Sequence, residues 1–172
     1  KTPCINNVTG LGSILQSKSL LAKLILILQK YAYRKSNCVC FQNKDNYEKL
    51  KACGVINKKT HFRILPGSGV NLDLHTYTKF PEESEPVRFI MVSRIRKDKG
   101  YDEFFGAAER TKQKYPNVEF HVVGWYEEDE WKTRIDTLSE RGVIVYHGEK
   151  SQEEVHSLIS ECSCLIHPSY HE

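Results

Sequence analysis

No stretch of this 172-residue sequence carries the roughly 20 apolar residues that a bilayer-spanning helix needs. The candidate Leu20–Leu28, LLAKLILIL, is too short and is interrupted by Lys23. Lys1–Gly12 has no continuous apolar core, so these residues are not expected to act as a secretory leader. Charge of one sign is also missing. The 25 Lys and Arg against 22 Asp and Glu leave a formal +3, too mild and too mixed for a nucleic-acid partner, which needs a concentrated basic face. The six cysteines (Cys4, Cys38, Cys40, Cys53, Cys162 and Cys164) include no C-x-x-C spacing. Strand alternation puts both thiols of each C-x-C pair on one face of a predicted buried strand. They read as reduced structural residues of a cytosolic protein, against the alternative of a disulfide framework or a metal site. What the chain does have is 40% apolar residues, enough for a real core.

The pattern divides in two. In the first part INNVTGLGS reads as a strand end breaking into a Gly-rich loop. A helix of about five turns is predicted near Ser17 to Arg34. There follow a short strand Cys38–Gln42, a helix Lys44–Cys53 ended by Gly54, and a strand Arg63–Leu65 stopped by Pro66-Gly67. Between Gly67 and Pro86 the pattern dissolves into glycines, prolines and acidic residues, which sets the expected organisation: 1–66, a linker 67–86, and 87–172. From Val87 strands and helices alternate: Arg88–Val92, Tyr101–Lys114, Val118–Val123, Glu128–Glu140, Val143–Tyr146, Ser151–Glu161 and Cys164–His167. Such alternation implies an α/β fold, a Rossmann-like parallel sheet with flanking helices. Ser151 and Glu154 form a capping box at the last helix.

In open parallel sheets ligands bind beyond the carboxyl ends of the strands. There Arg94 follows the first strand of the second part, and Lys99 precedes Gly100 and a new helix. Two fixed cations at a helix start can hold a diphosphate and oppose its charge as it leaves. The bland alternative is a solvated basic turn, since charge runs usually are one. The neighbouring loops weigh against it: Gly124 ends the second strand, His147-Gly148-Glu149 follows the third, and Glu172 follows the fourth. His167 and His171 have metal-ligand spacing but flank Pro168, which argues against one helical face. The Gly-x-Gly pairs at Gly10–Gly12 and Gly67–Gly69 lack the third glycine of a dinucleotide fingerprint, which speaks against a dehydrogenase.

Ser93, Arg94, Lys99 and Gly100 after one strand, Val123-Gly124 after the next, Gly148, and Pro168-Ser169 with Glu172 stand in an order that resembles glycosyltransferase family 4. PGSGVNLDL at Pro66–Leu74 is similar to the segment before that family's second domain. INNVTGLGS and FQNKDNYEKL resemble the late first domain of bacterial members that build surface polysaccharides. The resemblance implies the GT-B architecture of two facing Rossmann-like domains and retaining transfer of a sugar from a nucleotide-diphosphate sugar to a saccharide or lipid-linked acceptor. It implies that Arg94 and Lys99 contact the donor diphosphate and that Glu172 is the first carboxylate of a Glu-x7-Glu motif beside the transferred sugar. It places Gly124 and His147–Lys150 beside the nucleotide or sugar, and Thr9, Gly10 and Gly12 on the acceptor-side loop, where many members carry a histidine and this chain has none. It implies no metal and no cofactor besides the donor. Both halves would be parts of larger domains, with the chain alone inactive. A non-catalytic nucleotide-binding module on the same sheet is the alternative. The helix KSLLAKLILILQKYAYRK keeps two readings: its leucines pack on a sheet, or it lies on the inner face of an anionic membrane where a lipid-linked acceptor waits.

Overall fold

A computed structural model describes residues 2–12, 19–126 and 129–170. It separates into two compact units, Lys1–Val70 and Asn71–Glu172.

The first unit is a three-stranded parallel sheet, β1 (Ile5–Val8), β2 (Cys38–Phe41) and β3 (Phe62–Ile64), in the order β1-β2-β3. Helix α1 (Leu20–Tyr33) connects the first two strands and α2 (Lys44–Ala52) the second two. Each helix has an N-cap whose side chain accepts a backbone N–H three residues on: Ser19 from Ala22 (3.1 Å) and Asn43 from Asn46 (2.8 Å). Ser19 thereby caps α1 ahead of Leu20. Val39 and Phe41 alternate onto a core with Val8, Leu50, Val55 and Ile56, while Cys38 and Cys40 take the other face of β2. Of α1, Ala22 is buried and Leu26 and Tyr33 pack against that core. Leu20, Leu21, Leu24, Ile27 and Leu28 stay exposed, so packing on the sheet accounts for only part of this helix. Three strands of at most four residues are too small to cover a helix of 14.

The second unit is a four-stranded parallel sheet in the order β6-β5-β4-β7, from β4 (Arg88–Val92), β5 (Glu119–Val123), β6 (Val145–Tyr146) and β7 (Cys164–Leu165). Helices α3 (Tyr101–Lys114), α4 (Glu130–Glu140) and α5 (Gln152–Ser160) make the crossovers. Met91, Phe120 and Val122 point to one face, where Tyr101, Phe104, Phe105 and Ala108 of α3 and Trp131, Ile135 and Leu138 of α4 complete the core. The opposite face of β4 and β5 carries Arg88, Ile90, Glu119 and His121, because side chains alternate along a strand and Arg88 lies across from Glu119 as Ile90 does from His121. Here α3 occupies the predicted span, whereas β6 and β7 are shorter than expected. Each is paired over two residues only, β6 with His121 and Val122 of β5 and β7 with Phe89 and Ile90 of β4. Both β7 residues, Cys164 included, are exposed rather than buried, since nothing pairs on its outer side among the described residues. All six cysteines are free.

Candidate functional site

Because all four strands of the second unit are parallel, the residues after β4, β5, β6 and β7 collect at one edge of the sheet. After β4 the chain runs Ser93, Arg94, Ile95, Arg96 and into a single 3-10 turn, Lys97–Lys99, before Gly100 opens α3. The sequence reading had the basic loop lead straight into the helix; the extra turn sets Lys99 one step before it. Four cations against the one carboxylate of Asp98 make this loop strongly positive. Arg96 Nε lies 2.5 Å from Asp98 Oδ1. Arg94 is exposed, and Lys99 Nζ reaches Ser169 Oγ at 3.4 Å.

Two glycines make the edge compact. Gly124, at φ +147°, sits so close beneath the turn after β4 that a Cβ there would lie 1.9 Å from the Ser93 carbonyl oxygen. Its own N–H donates to Gly148 O at 2.9 Å, and Ser93 N–H to Val123 O at 3.1 Å. Gly100, at φ +80°, faces Pro168, whose carbonyl oxygen would be 2.3 Å from a Cβ. The segment after β7 is tied down there as well: Tyr170 N–H donates to Asp98 O at 2.9 Å and its hydroxyl to Glu103. The loop after β4 is therefore stitched to the loops after β5 and β7. A buried Tyr101 holds it from below, donating its hydroxyl to Ser93 O at 3.1 Å; burial pushes that phenol up to about 12, against the opposing bond from Ser93.

The geometry thus brings Arg94, Lys99, Gly124, His147, Gly148 and Glu149 to one edge. Thr9, Gly10 and Gly12 belong to the first unit, in the segment after β1, where all three are exposed. Glu172, with His171, lies outside the described residues, as does the helix start at Ser17. An open groove of about 730 Å³ between Val87, Lys112, Tyr115 and Val118 belongs to the amino-terminal edge of the sheet, away from these loops. Among the described residues no group of three or more His, Cys, Asp or Glu side chains is placed to hold a metal.

Residues 77–172 match the family of glycosyl transferases group 1. The chain belongs to that family. No curated protein matches it. Among solved structures, this group 1 chain is similar to the pneumococcal O-GlcNAc transferase GtfA in complex with UDP and GlcNAc. The identity is 19%, the match covers 84% of this chain and 28% of the other, and the TM-score is 0.64. It is similar to Anabaena HepE in complex with UDP and glucose (14% identity, 97% and 46% covered, TM-score 0.68). It is also similar to WaaG, a glycosyltransferase involved in lipopolysaccharide biosynthesis (18%, 98% and 50%, TM-score 0.66). At these identities the likeness establishes the mixed α/β fold with parallel sheets. The chain spans half or less of the length of each.

Sequence reasoning missed a line of polar side chains on the second face of this sheet. Arg88 Nε donates to Glu119 Oε2 at 2.9 Å, His121 Nε2 lies 3.2 Å from the same oxygen, and His121 Nδ1 lies 2.9 Å from His147 Nε2. Burial raises the Glu119 carboxyl, but the bonds from Arg88 and His121 outweigh it and hold Glu119 below the usual carboxylate range. Burial lowers His147, His121 and Lys150 add to that, and Glu161 opposes it. The alternation of RFIMV and EFHVV placed Arg88, Glu119 and His121 on one face; only the register puts them side by side.

Proposed function

We propose that this chain is the donor-holding part of a retaining glycosyltransferase of the family 4 type. The whole protein would move a sugar from a nucleotide-diphosphate sugar to a saccharide or lipid-linked saccharide acceptor, in the synthesis of a surface polysaccharide or glycoconjugate. The observation that carries the reading is the convergence of the Arg94–Lys99 loop with Gly124, Gly148 and the Pro168–Tyr170 segment at one sheet edge. Membership of a glycosyl transferase family and the UDP held in the GtfA and HepE complexes support it.

In this reading Arg94 and Lys99 lie along the diphosphate and oppose the negative charge that grows as the sugar–phosphate bond breaks. The protein's own cations supply that charge, so the reading needs no metal. Glu172 orients the transferred sugar. Gly148, with open space where a side chain would stand, leaves room for the donor beside the loop after β6, and Gly124 lets the loop after β4 close down on β5. Thr9, Gly10 and Gly12 belong to the acceptor side of the whole enzyme.

Calorimetric titration of UDP, GDP and NAD against the protein tests this. One nucleoside diphosphate is expected to bind and NAD is not; binding of NAD alone would overturn the reading. In Arg94→Ala the affinity for that diphosphate is expected to fall about tenfold, the loss of one charge-assisted contact of ~1.5 kcal/mol. Because Arg94 is exposed, the melting temperature should not change. Unchanged affinity would remove Arg94 from the site.

A further inference from the structure

The Arg88–Glu119–His121–His147 line runs from β4 across β5 and ends in the loop after β6, at the same edge as the donor loops. Its protons are fixed by its first member. Arg88 is always charged and keeps Glu119 ionised, so Glu119 only accepts, and His121 must direct Nε2–H at it. With both rings neutral, His121 Nδ1 then has a lone pair, and the 2.9 Å contact requires His147 Nε2 to carry the hydrogen. The ring planes differ by 12° with centroids 5.2 Å apart. At so short a nitrogen–nitrogen distance that places the rings edge to edge, as an in-line N–H···N bond needs, rather than face to face. The remaining nitrogen, His147 Nδ1, is left as an acceptor.

We propose that Arg88, Glu119 and His121 are positioning residues that hold His147 in its Nε2–H form. His147 Nδ1 is then an acceptor at the base end of the donor site, and nucleotide affinity is linked to protonation of His147. This rests on the donor-site reading above. The base it suits carries a ring N–H beside its carbonyls, as uracil and guanine do and adenine does not. One proton added to the histidine pair turns Nδ1 from acceptor to donor, whichever ring keeps the charge, and sets N–H against N–H. A second proton would put two cations in contact. The charged groups facing His147 are His121 on β5 with Glu119 behind it, Arg88 on β4, Lys150 in its own loop, itself paired with Glu154 at 3.0 Å, and Glu161 at the end of α5. Burial and two of these neighbours disfavour the charged ring, so the acceptor form prevails near neutral pH.

Two measurements on the intact protein separate this proposal from the donor-site reading. Imidazole 15N spectra of the ligand-free protein are expected to give His147 as the Nε2–H tautomer near pH 7.5 and a mixture in His121→Leu; an Nδ1–H tautomer in the wild type overturns the proposal without touching the donor site. UDP-glucose, GDP-mannose and ADP-glucose, whose diphosphate diesters do not titrate in this range, are then bound at about pH 7.5 and about pH 5.5. Affinity for UDP-glucose or GDP-mannose is expected to fall severalfold at the lower pH, short of the roughly tenfold that a histidine at its ordinary value would give, because the charged ring is disfavoured and forms only in part there. In His147→Gln, whose amide oxygen accepts but does not titrate, the ratio of the affinities at the two pH values is expected to approach one. An equal pH effect in wild type and His147→Gln, or binding confined to ADP-glucose, overturns the proposal. No binding of any of the three at either pH overturns the donor-site reading, and the role of His147 with it.

Discussion

At position 124 there is no room for a side chain. The backbone there has φ +147°, a conformation that residues with a Cβ rarely adopt, and the Cβ of an alanine would lie 1.9 Å from Ser93 O. Both ends of the clash are backbone, so β4 and β5 would have to part. Gly124→Ala is expected to destabilise the second unit by on the order of 3 kcal/mol, seen in urea unfolding; a loss below about 0.5 kcal/mol would mean that the two strands part easily. A glycine after a strand was visible in the sequence, but the neighbour it makes room for was not, because Ser93 is 31 residues away and the contact depends on the parallel register. The same limit hid the histidine line. Arg94 and Lys99 were legible for the opposite reason, since a local run of cations ahead of a glycine and a helix needs no partner to be noticed.

Elements were legible where their ends carry their own chemistry. α5 begins after Ser151, whose side chain accepts Glu154 N–H at 3.3 Å while Glu154 accepts Ser151 N–H at 2.8 Å. That backbone bond, with help from Lys150, holds the Glu154 carboxyl below its ordinary range. Ser151→Ala is expected to cost about 1 kcal/mol, measured by the shift of the denaturation midpoint at unchanged slope. Ser151→Asp, which restores the acceptor, should recover most of it. The capping box was read correctly from spacing alone. α1 is capped by the Ser19 side chain without such a box. The start of β6 and the end of β7 were misplaced because a strand's extent is set by its pairing with β5 or β4, neither of which is adjacent to it in sequence.

Among the described residues the chain has two cores of unequal size, a cluster of thirteen buried residues in the second unit and one of six in the first. Stability follows buried apolar surface, so the smaller core should give way first. Thermal unfolding is expected in two steps. Leu50→Ala should lower the earlier one, at a cost of about 2–4 kcal/mol, and Phe105→Ala the later one, at about 3–5 kcal/mol. A single transition shifted alike by both substitutions would show that the units unfold together. The sequence pattern breaks down after Gly67, and the units part at Val70. The first unit's thin core was not legible, because α1 reads as strongly apolar and yet keeps most of its leucines on the surface.

The contact of Gly100 with Pro168 has a consequence for how this molecule can change over generations. A lineage that acquired any side chain at position 100 would collide with the carbonyl at 168, and every residue carries that carbonyl, so no replacement at 168 makes room. Position 100 is thus expected to stay glycine whatever stands 68 residues further on, and a loop grafted from a relative would seat only if it brought a glycine to that place.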